Sequence, residues 1–381
     1  MEQVANADLL IQNIEDNEYF PLNFDELEAA VKEKVPVGQY SYIRSGAGSE
    51  QTLRNNREAF SRYSIVPRFL TDVSAVDTSI TLFGKTHPTP LLFAPVGMNK
   101  IAHEEGERAV VRAAAALRIP YVQSTVASYS MEQLAEDAPQ HTKWFQLYWS
   151  TNEAISYSMV ERAEKAGFEA IVLTIDTVTL GWREHDIRNG FSPLLEGFAS
   201  GNYASDPMFV ASLKDDTRES FVEAQLANIH TPHLNWSHVR ELKKRTKLPV
   251  LLKGVLHVED VKQALAIGID GFFVSNHGGR QLDGVIASLD ALPAIVEEVA
   301  GRVPVILDSG VYRGIDVLKA LALGATAVAI GRPFVYGLAY AGETGVKRAM
   351  QNIYNEFETS MKLAGMASIR ALKTLQMIHR P

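Results

Sequence analysis

The segment Ser275-Asn276-His277-Gly278-Gly279-Arg280-Gln281 sets a proton acceptor three residues ahead of a carboxylate clamp. An imidazole can take a proton near neutral pH. A guanidinium can fork onto a carboxylate through two parallel hydrogen bonds. Gly278 and Gly279 allow backbone and substrate to come close. Asp176 could orient the imidazole and stabilise its protonated form, and Arg183 follows it by seven residues. One His, one Asp and two Arg together suggest proton abstraction beside a carboxylate. A lone histidine after a strand is more often an ordinary rim residue, so the weight lies in the combination.

Lys253 ends the apolar run 250–253. A lysine there should not be buried unpaired, so it meets either a carboxylate or an anionic ligand. Asp308-Ser309-Gly310 and Ile330-Gly331-Arg332-Pro333 follow two further apolar runs. Glycine-containing loops with a helix N-terminus make a phosphate cradle. Tight turns are the plain alternative for either loop alone, but the pair with Arg332 favours phosphate. Tyr42 and Tyr148 carry little by themselves, since most tyrosines pack.

Eight short apolar runs must position these groups: 91–94, 121–123, 144–148, 170–176, 250–253, 271–275, 304–308 and 327–331. Helix-like stretches separate them at 104–118, 152–166, 257–267, 289–300 and 315–323, with Gly268 and Gly324 at expected C-caps. Strand and helix alternating eight times predict an α/β fold, a (β/α)8 TIM barrel. A doubly wound open sheet is the structural alternative. The polar candidates then fall at the C-terminal ends of strands, where barrel enzymes keep their chemistry. Residues 1–90 read as an N-terminal helical extension with helices at 24–34 and 39–45, and 91–381 as the barrel. A segment of about 187–232 after strand four is too long for an ordinary loop and reads as a lid insert. The whole chain, 1–381, is expected to form one domain.

The net charge is −8 and there are no cysteines. The charge argues against nucleic acid or an anionic membrane as partner. Without cysteine there is no disulfide, thiolate catalysis, or Cys-ligated zinc or iron–sulfur cluster, and no metal site is expected. Residues 1–20 are polar and acidic, unlike a secretory signal. No stretch approaches the ~20 apolar residues that span a bilayer. A cytoplasmic setting is expected.

These residues resemble the FMN-dependent 2-hydroxy acid oxidases and dehydrogenases. The signature at 275–281 carries the likeness, supported by Tyr40 to Ala47, Leu92 to Pro95, Phe145 to Tyr148, Leu173 to Thr177, Leu252 to Gly254 and Ile330 to Pro333. The resemblance implies FMN as cofactor, a small 2-hydroxy acid and oxygen as reaction partners, and a homo-oligomer, a tetramer or higher. It implies His277 as base with Asp176 beside it. Arg183, Arg280 and Tyr42 would bind the substrate carboxylate, and Tyr148 the hydroxyl or ketone. Lys253 would sit at flavin N1/O2, where a cation eases reduction. Ala94, Pro95, Val96, Gly97, Ser124, Gln146, Thr174 and Ser275 would surround the isoalloxazine and ribityl groups. Asp308, Ser309, Gly310, Gly331 and Arg332 would hold the ribityl chain and phosphate. Where the family commonly carries arginine, this chain has Tyr312, and Arg313 would compensate.

Gly97 and the stretch Gly201 to Pro207 look most like lactate 2-monooxygenase. Gly97 would leave room beside flavin N5, and Tyr203 would be a lid residue over substrate. The chemistry implied is oxidation of an (S)-2-hydroxy acid such as L-lactate. One outcome releases pyruvate and hydrogen peroxide. The other couples them to acetate, carbon dioxide and water. A quinone-linked dehydrogenase, a flavin-free phosphate-binding aldolase or isomerase barrel, and a non-catalytic sensing module are the rival readings.

Overall fold

The structure, a computed structural model, describes residues 20–380. The reading of residues 1–19 as leaderless lies outside the described residues. Eight parallel strands close into a barrel: β1 (Leu91–Phe93), β2 (Tyr121–Ser124), β3 (Lys143–Leu147), β4 (Ile171–Thr174), β5 (Val250–Val255), β6 (Gly271–Val274), β7 (Val305–Leu307) and β8 (Ala327–Ile330). Each pairs with the next, and β8 returns to β1 through Val328–Leu91 and Ile330–Phe93. All eight expected strands are present, with every end within two residues of expectation.

Both faces of every strand are buried, which is why the runs are apolar throughout rather than alternating. The period-two geometry nevertheless sorts them. Leu92, Val122, Trp144, Val172, Leu251, Phe273, Ile306 and Ala329 form one cluster in the barrel interior. Their neighbours Phe93, Tyr121, Phe145, Leu173, Leu252, Phe272, Leu307 and Val328 belong to the cluster shared with the surrounding helices. Those helices include Gly106–Leu117, Glu153–Lys165, Val258–Ile267, Ser288–Val299 and Gly314–Ala322, each within two residues of expectation. Gly268 caps its helix in the left-handed region at φ 89°, as glycine does without steric cost.

The N-terminal extension is less purely helical than its sequence suggests. Helices Phe24–Lys34 and Val37–Arg44 match the two expected. A third, Gln51–Ser61, was not anticipated, because its buried face includes Thr52 and Asn56 beside Ala59 and Phe60 and so lacks an apolar stripe. An antiparallel hairpin, Ile80–Leu82 with Lys85–His87, also went unforeseen. Ile80 and Leu82 join the interior cluster, and Phe83 packs edge-on against Trp144 at 5.4 Å, so the hairpin plugs the N-terminal mouth of the barrel. Tyr63–Val66 pairs with Gln376–His379 and ties the N-terminal extension to the C-terminal segment.

Between β4 and β5 the chain forms short helices at Glu184–Asn189, Gly201–Ala204, Pro207–Val210 and Arg218–Asn228. The regular barrel helix, Trp236–Arg245, follows them. Among the described residues no helix is long and apolar enough to cross a membrane.

Candidate active site

A cavity with about 1040 Å³ of non-protein space opens where the C-terminal ends of the strands converge. Its lining draws on the loops after β1, β2, β6, β7 and β8, on β5 through Lys253, and on Tyr42 of the extension. The backbone there is unusual. Met98, His277 and Ser309 all border the cavity with positive φ, at 58°, 60° and 75°. Such strain in non-glycine residues concentrates at functional sites.

His277 opens a run of three left-handed residues, followed by Gly278 at φ 65° and Gly279 at φ 74°. Two glycines let the chain keep turning that way without a β-carbon penalty. The turn sends the imidazole back towards β4. Its Nδ1 lies 2.9 Å from Oδ1 of Asp176 and 3.2 Å from the Thr177 hydroxyl. Its Nε2 lies 3.3 Å from the hydroxyl of Tyr148. Burial pulls the imidazole below its ordinary value, and Asp176 pulls the other way without overcoming it. Burial pushes the Asp176 carboxyl up, but His277, Lys253 and the Thr177 hydroxyl together outweigh it and the carboxylate rests below its ordinary range. The pair therefore stands as a neutral imidazole held by an ionised carboxylate. Burial raises the Tyr148 phenol well above its ordinary value, so it remains a hydrogen-bond donor.

Arg280 donates from Nη1 to the carbonyls of Tyr42 (2.7 Å) and Ser45 (2.6 Å). Its Nη2 is buried with no partner. Burial, and next the charge of Arg183, lower this guanidinium to about 10. Arg183 is also buried, with Nε donating to the Arg280 carbonyl at 3.2 Å and Nη1 3.5 Å from the Tyr42 hydroxyl. Two buried guanidinium groups with an unused donor want an anion between them. Tyr42, Arg183 and Arg280, singled out separately in sequence, thus share one wall of the cavity.

Lys253 reaches the cavity through a bulge. β5 slips register between Lys253 and Val255, and the intervening Gly254 takes φ 105°. The ammonium donates to Ser275 Oγ at 2.9 Å and lies 3.3 Å from Oδ2 of Asp308. Lys253 thus has a carboxylate partner, as the structural reading expects, and it also faces the cavity.

Asp308, Ser309 and Gly310 line the far end. Ser309 donates to Asp308 and accepts from the N–H of Gly278 at 2.9 Å, so the β6 and β7 loops are locked together. A β-carbon on Gly331 would have only Val96 and Ala94 near it, at 3.8 and 3.9 Å. It would fill cavity space, so this glycine keeps the cradle open. Arg332 lines the same end, yet its three guanidinium nitrogens donate to the carbonyls of Ile43, Gly278 and Ser45. It brackets the extension to the signature loop.

Arg313 is a correction. Its guanidinium points away from the cavity to Glu356 at 3.0 Å, half exposed. As N-cap of the Gly314–Ala322 helix it is turned outward. Tyr312 lines the cavity instead, stacked on Phe24 at 3.8 Å. Gly97 also differs from expectation. A β-carbon there would meet Val126 Cγ2 at 2.5 Å and Ser124 Oγ at 3.0 Å. The space of the missing methyl is already taken by Val126.

Ala94, Pro95, Val96 and Ser124 line the cavity, while Gln146, Thr174 and Ser275 sit just behind. Ser124 donates to Gln146, and Gln146 donates to Thr174, each at 3.0 Å. Tyr203 is fully buried and packs edge-on against Phe209 at 4.9 Å, outside the lining.

Some contributors have no role that spacing or residue type assigns. Thr177 donates to Asp176 at 3.0 Å. Asn56 and Asn276 exchange reciprocal amide hydrogen bonds at 2.8 and 2.7 Å, pinning the signature loop to the unforeseen helix. Arg57 donates to the Gly310 carbonyl and to Asp316. Only tertiary placement makes these residues partners.

The donor set suits the FMN implied by resemblance. The cavity has a buried cation midway, hydroxyl and carboxylate groups beyond it, and a glycine-lined end. The first-turn N–H groups of the helix Arg332–Leu363 begin there and have no intrahelical partner. The unpartnered Arg280 nitrogen is left for an anion beside it.

Residues 31–379 match the family of FMN-dependent dehydrogenases. The L-lactate oxidase of Lysinibacillus sphaericus (strain C3-41) is 65% identical over 378 residues, 99% of this chain and 98% of that protein. Human 2-hydroxyacid oxidase 1 is 40% identical over 352 residues, 92% of this chain and 95% of that one. A crystal structure of mandelate oxidase superposes with a TM-score of 0.84 at 38% identity, covering 94% of this chain and 98% of that chain.

Proposed function

This chain belongs to the FMN-dependent dehydrogenase family, and from that premise we propose that it oxidises L-lactate to pyruvate with oxygen as the electron acceptor. FMN-dependent oxidation of 2-hydroxy acids is common ground with its relatives. The observation that carries the finer reading is the neutral His277 imidazole, held by Asp176 and placed beside two buried arginines.

FMN, when bound, would supply the acceptor for the substrate's two electrons and its second hydrogen, and a route for those electrons to oxygen. The chain does the rest. Arg280, Arg183 and the Tyr42 hydroxyl hold the carboxylate, which fixes the carbinol carbon relative to His277. Nε2 of His277 takes a proton as the alcohol becomes a ketone. Asp176 stabilises the imidazolium that results, because its carboxylate is already ionised and already oriented. Tyr148, 3.3 Å from Nε2, donates to the substrate oxygen. Lys253 supplies positive charge where reduction adds negative charge. Ala94 to Gly97, Ser124, Gln146, Thr174, Ser275, Asp308, Ser309, Gly310, Gly331 and Arg332 surround or support the cofactor. The insert at about 187–232 covers the substrate side. The full chain acts as one FMN-binding domain in a cytoplasmic homo-oligomer, a tetramer or higher.

The 65% identity to an L-lactate oxidase supports release of pyruvate and hydrogen peroxide. A second reading rests on the likeness of the stretch Gly201 to Pro207 to lactate 2-monooxygenase: pyruvate held in place reacts with peroxide to give acetate, carbon dioxide and water. Aerobic turnover of L-lactate with pyruvate, acetate and peroxide quantified together tests both. Equal pyruvate and peroxide support the first, acetate without free peroxide the second, and none of the three overturns the proposal.

A further inference from the structure

We propose that Gly254 is a positioning residue for the reaction: the bare wall it presents seats the Asp176 carboxylate against His277. The inference rests on the reading of His277 as the base.

Gly254 lies at φ 105° in the β5 bulge. A β-carbon built there would stand 2.6 Å from Cγ of Asp176, 2.7 Å from its Cβ and 2.9 Å from Oδ2. Non-bonded carbons do not approach so closely, so the carboxylate would have to move. It cannot move towards the imidazole, because Oδ1 is already 2.9 Å from Nδ1, an ordinary hydrogen-bond length. Displacement therefore either rotates the carboxylate off the ring or pushes β5 outward.

The same contact accounts for an otherwise odd feature. Oδ2 of Asp176 is buried with no donor, while Oδ1 receives both the Thr177 hydroxyl and the imidazole. Gly254 fills the side where a donor to Oδ2 would stand. A buried carboxylate with one bare oxygen depends more heavily on the positive charge beside it. The charged and titratable groups around the His277 ring are Asp176, Lys253, Arg183, Tyr148 and His230. Of these, Asp176 favours the imidazolium, whereas Lys253 and Arg183 oppose it. Loosening Asp176 leaves burial and two cations acting unopposed, and the base weakens. One glycine thus serves two groups: its bulge delivers Lys253 to the cavity, and its missing side chain seats Asp176.

The test is an NMR titration of the His277 imidazole in FMN-loaded protein, assigned by its disappearance in His277→Gln. Gly254→Ala should lower the midpoint by about one pH unit or more, the scale of losing an opposite charge at hydrogen-bond distance. Asp176→Asn should produce the same fall, and the double variant should fall no further. A wild-type midpoint in Gly254→Ala, or shifts that add in the double variant, overturns the proposal. Should Gly254→Ala fail to fold, Gly254→Ala with Asp176→Ala should be the more stable of the two, because the clash is removed while the backbone strain at φ 105° is common to both. A double variant no more stable than the single overturns the proposal as well. Undiminished turnover in His277→Ala would instead remove the base assignment, and would leave the titration result standing.

Discussion

His277 Nδ1 and Asp176 Oδ1 stand 2.9 Å apart although the two residues are 101 positions apart in sequence. One follows β6 and the other β4, so the contact spans the rim across β5. That contact leaves Nε2 free to face Tyr148 and the cavity. The imidazole is therefore oriented by the fold itself.

His277→Ala should reduce the rate of flavin reduction by several orders of magnitude while FMN stays bound. Stopped-flow mixing with L-lactate measures it, and a retained rate would remove His277 from the mechanism. The pH dependence follows from the direction of its shift. The base works when neutral, and burial has lowered its proton affinity below the ordinary value of about 6.5. The acid limb of kcat/KM should therefore lie below that value, with activity maintained into mildly acid solution. Asp176→Asn should move the limb lower still while cutting the rate, since the imidazolium loses its counter-charge.

Arg280 offers a different signature. Its Nη2 has no protein partner, so substrate should lose a charge-assisted hydrogen bond when it is removed. Such a bond is worth about 1.5–3 kcal/mol, which corresponds to roughly 10- to 150-fold in kcat/KM. Arg280→Lys keeps the charge but not the fork, and should show most of the loss in KM. An unchanged KM would mean that Arg280 only braces the carbonyls of Tyr42 and Ser45.

Lys253→Ala should make the bound flavin harder to reduce. Removing a buried cation destabilises the more negative, reduced form, so the midpoint potential should fall or FMN should bind more weakly. Spectroelectrochemical titration decides it. A wild-type potential and affinity together would confine Lys253 to its pairing with Asp308.

Glu107 is fully buried and accepts from the N–H groups of Asn99 and Ser128. Those bonds tie the β1 and β2 loops that border the cavity. Burial raises its carboxyl from 4.5 to about 7. The folded state thus holds a proton that the unfolded chain has released between those values. Stability present below pH 4.5 is lost as pH rises to about 7, by on the order of 3 kcal/mol. Glu107→Gln keeps an acceptor for both N–H groups and should remove that slope. Thermal melts at pH 5 and pH 8 compare the two. Parallel pH dependence in both proteins would contradict the assignment.

Much of the site was legible because its chemistry conflicts with packing. A lysine ending an apolar strand, a histidine before two glycines and arginines at strand ends are costly unless something uses them, and Lys253, His277, Arg183 and Arg280 do meet at one cavity. The barrel was legible because eight doubly buried strands are apolar on both faces. What escaped depends on contacts that spacing cannot show. Asn56 reads as a polar helix residue until it meets Asn276, 220 positions away. Thr177 gains its role only from the turn that carries Asp176. Arg313 looked available for phosphate, but capping geometry turned it to Glu356. Gly97 looked like open space, and Val126 occupies it.

The proposed function requires that this cavity hold FMN and reduce it with a small 2-hydroxy acid. Anaerobic mixing of the purified yellow protein with L-lactate tests it directly. The flavin absorbance bands should disappear, with one pyruvate formed per FMN. Persistent yellow colour in FMN-loaded protein, or a colourless protein that FMN cannot reconstitute, would contradict it.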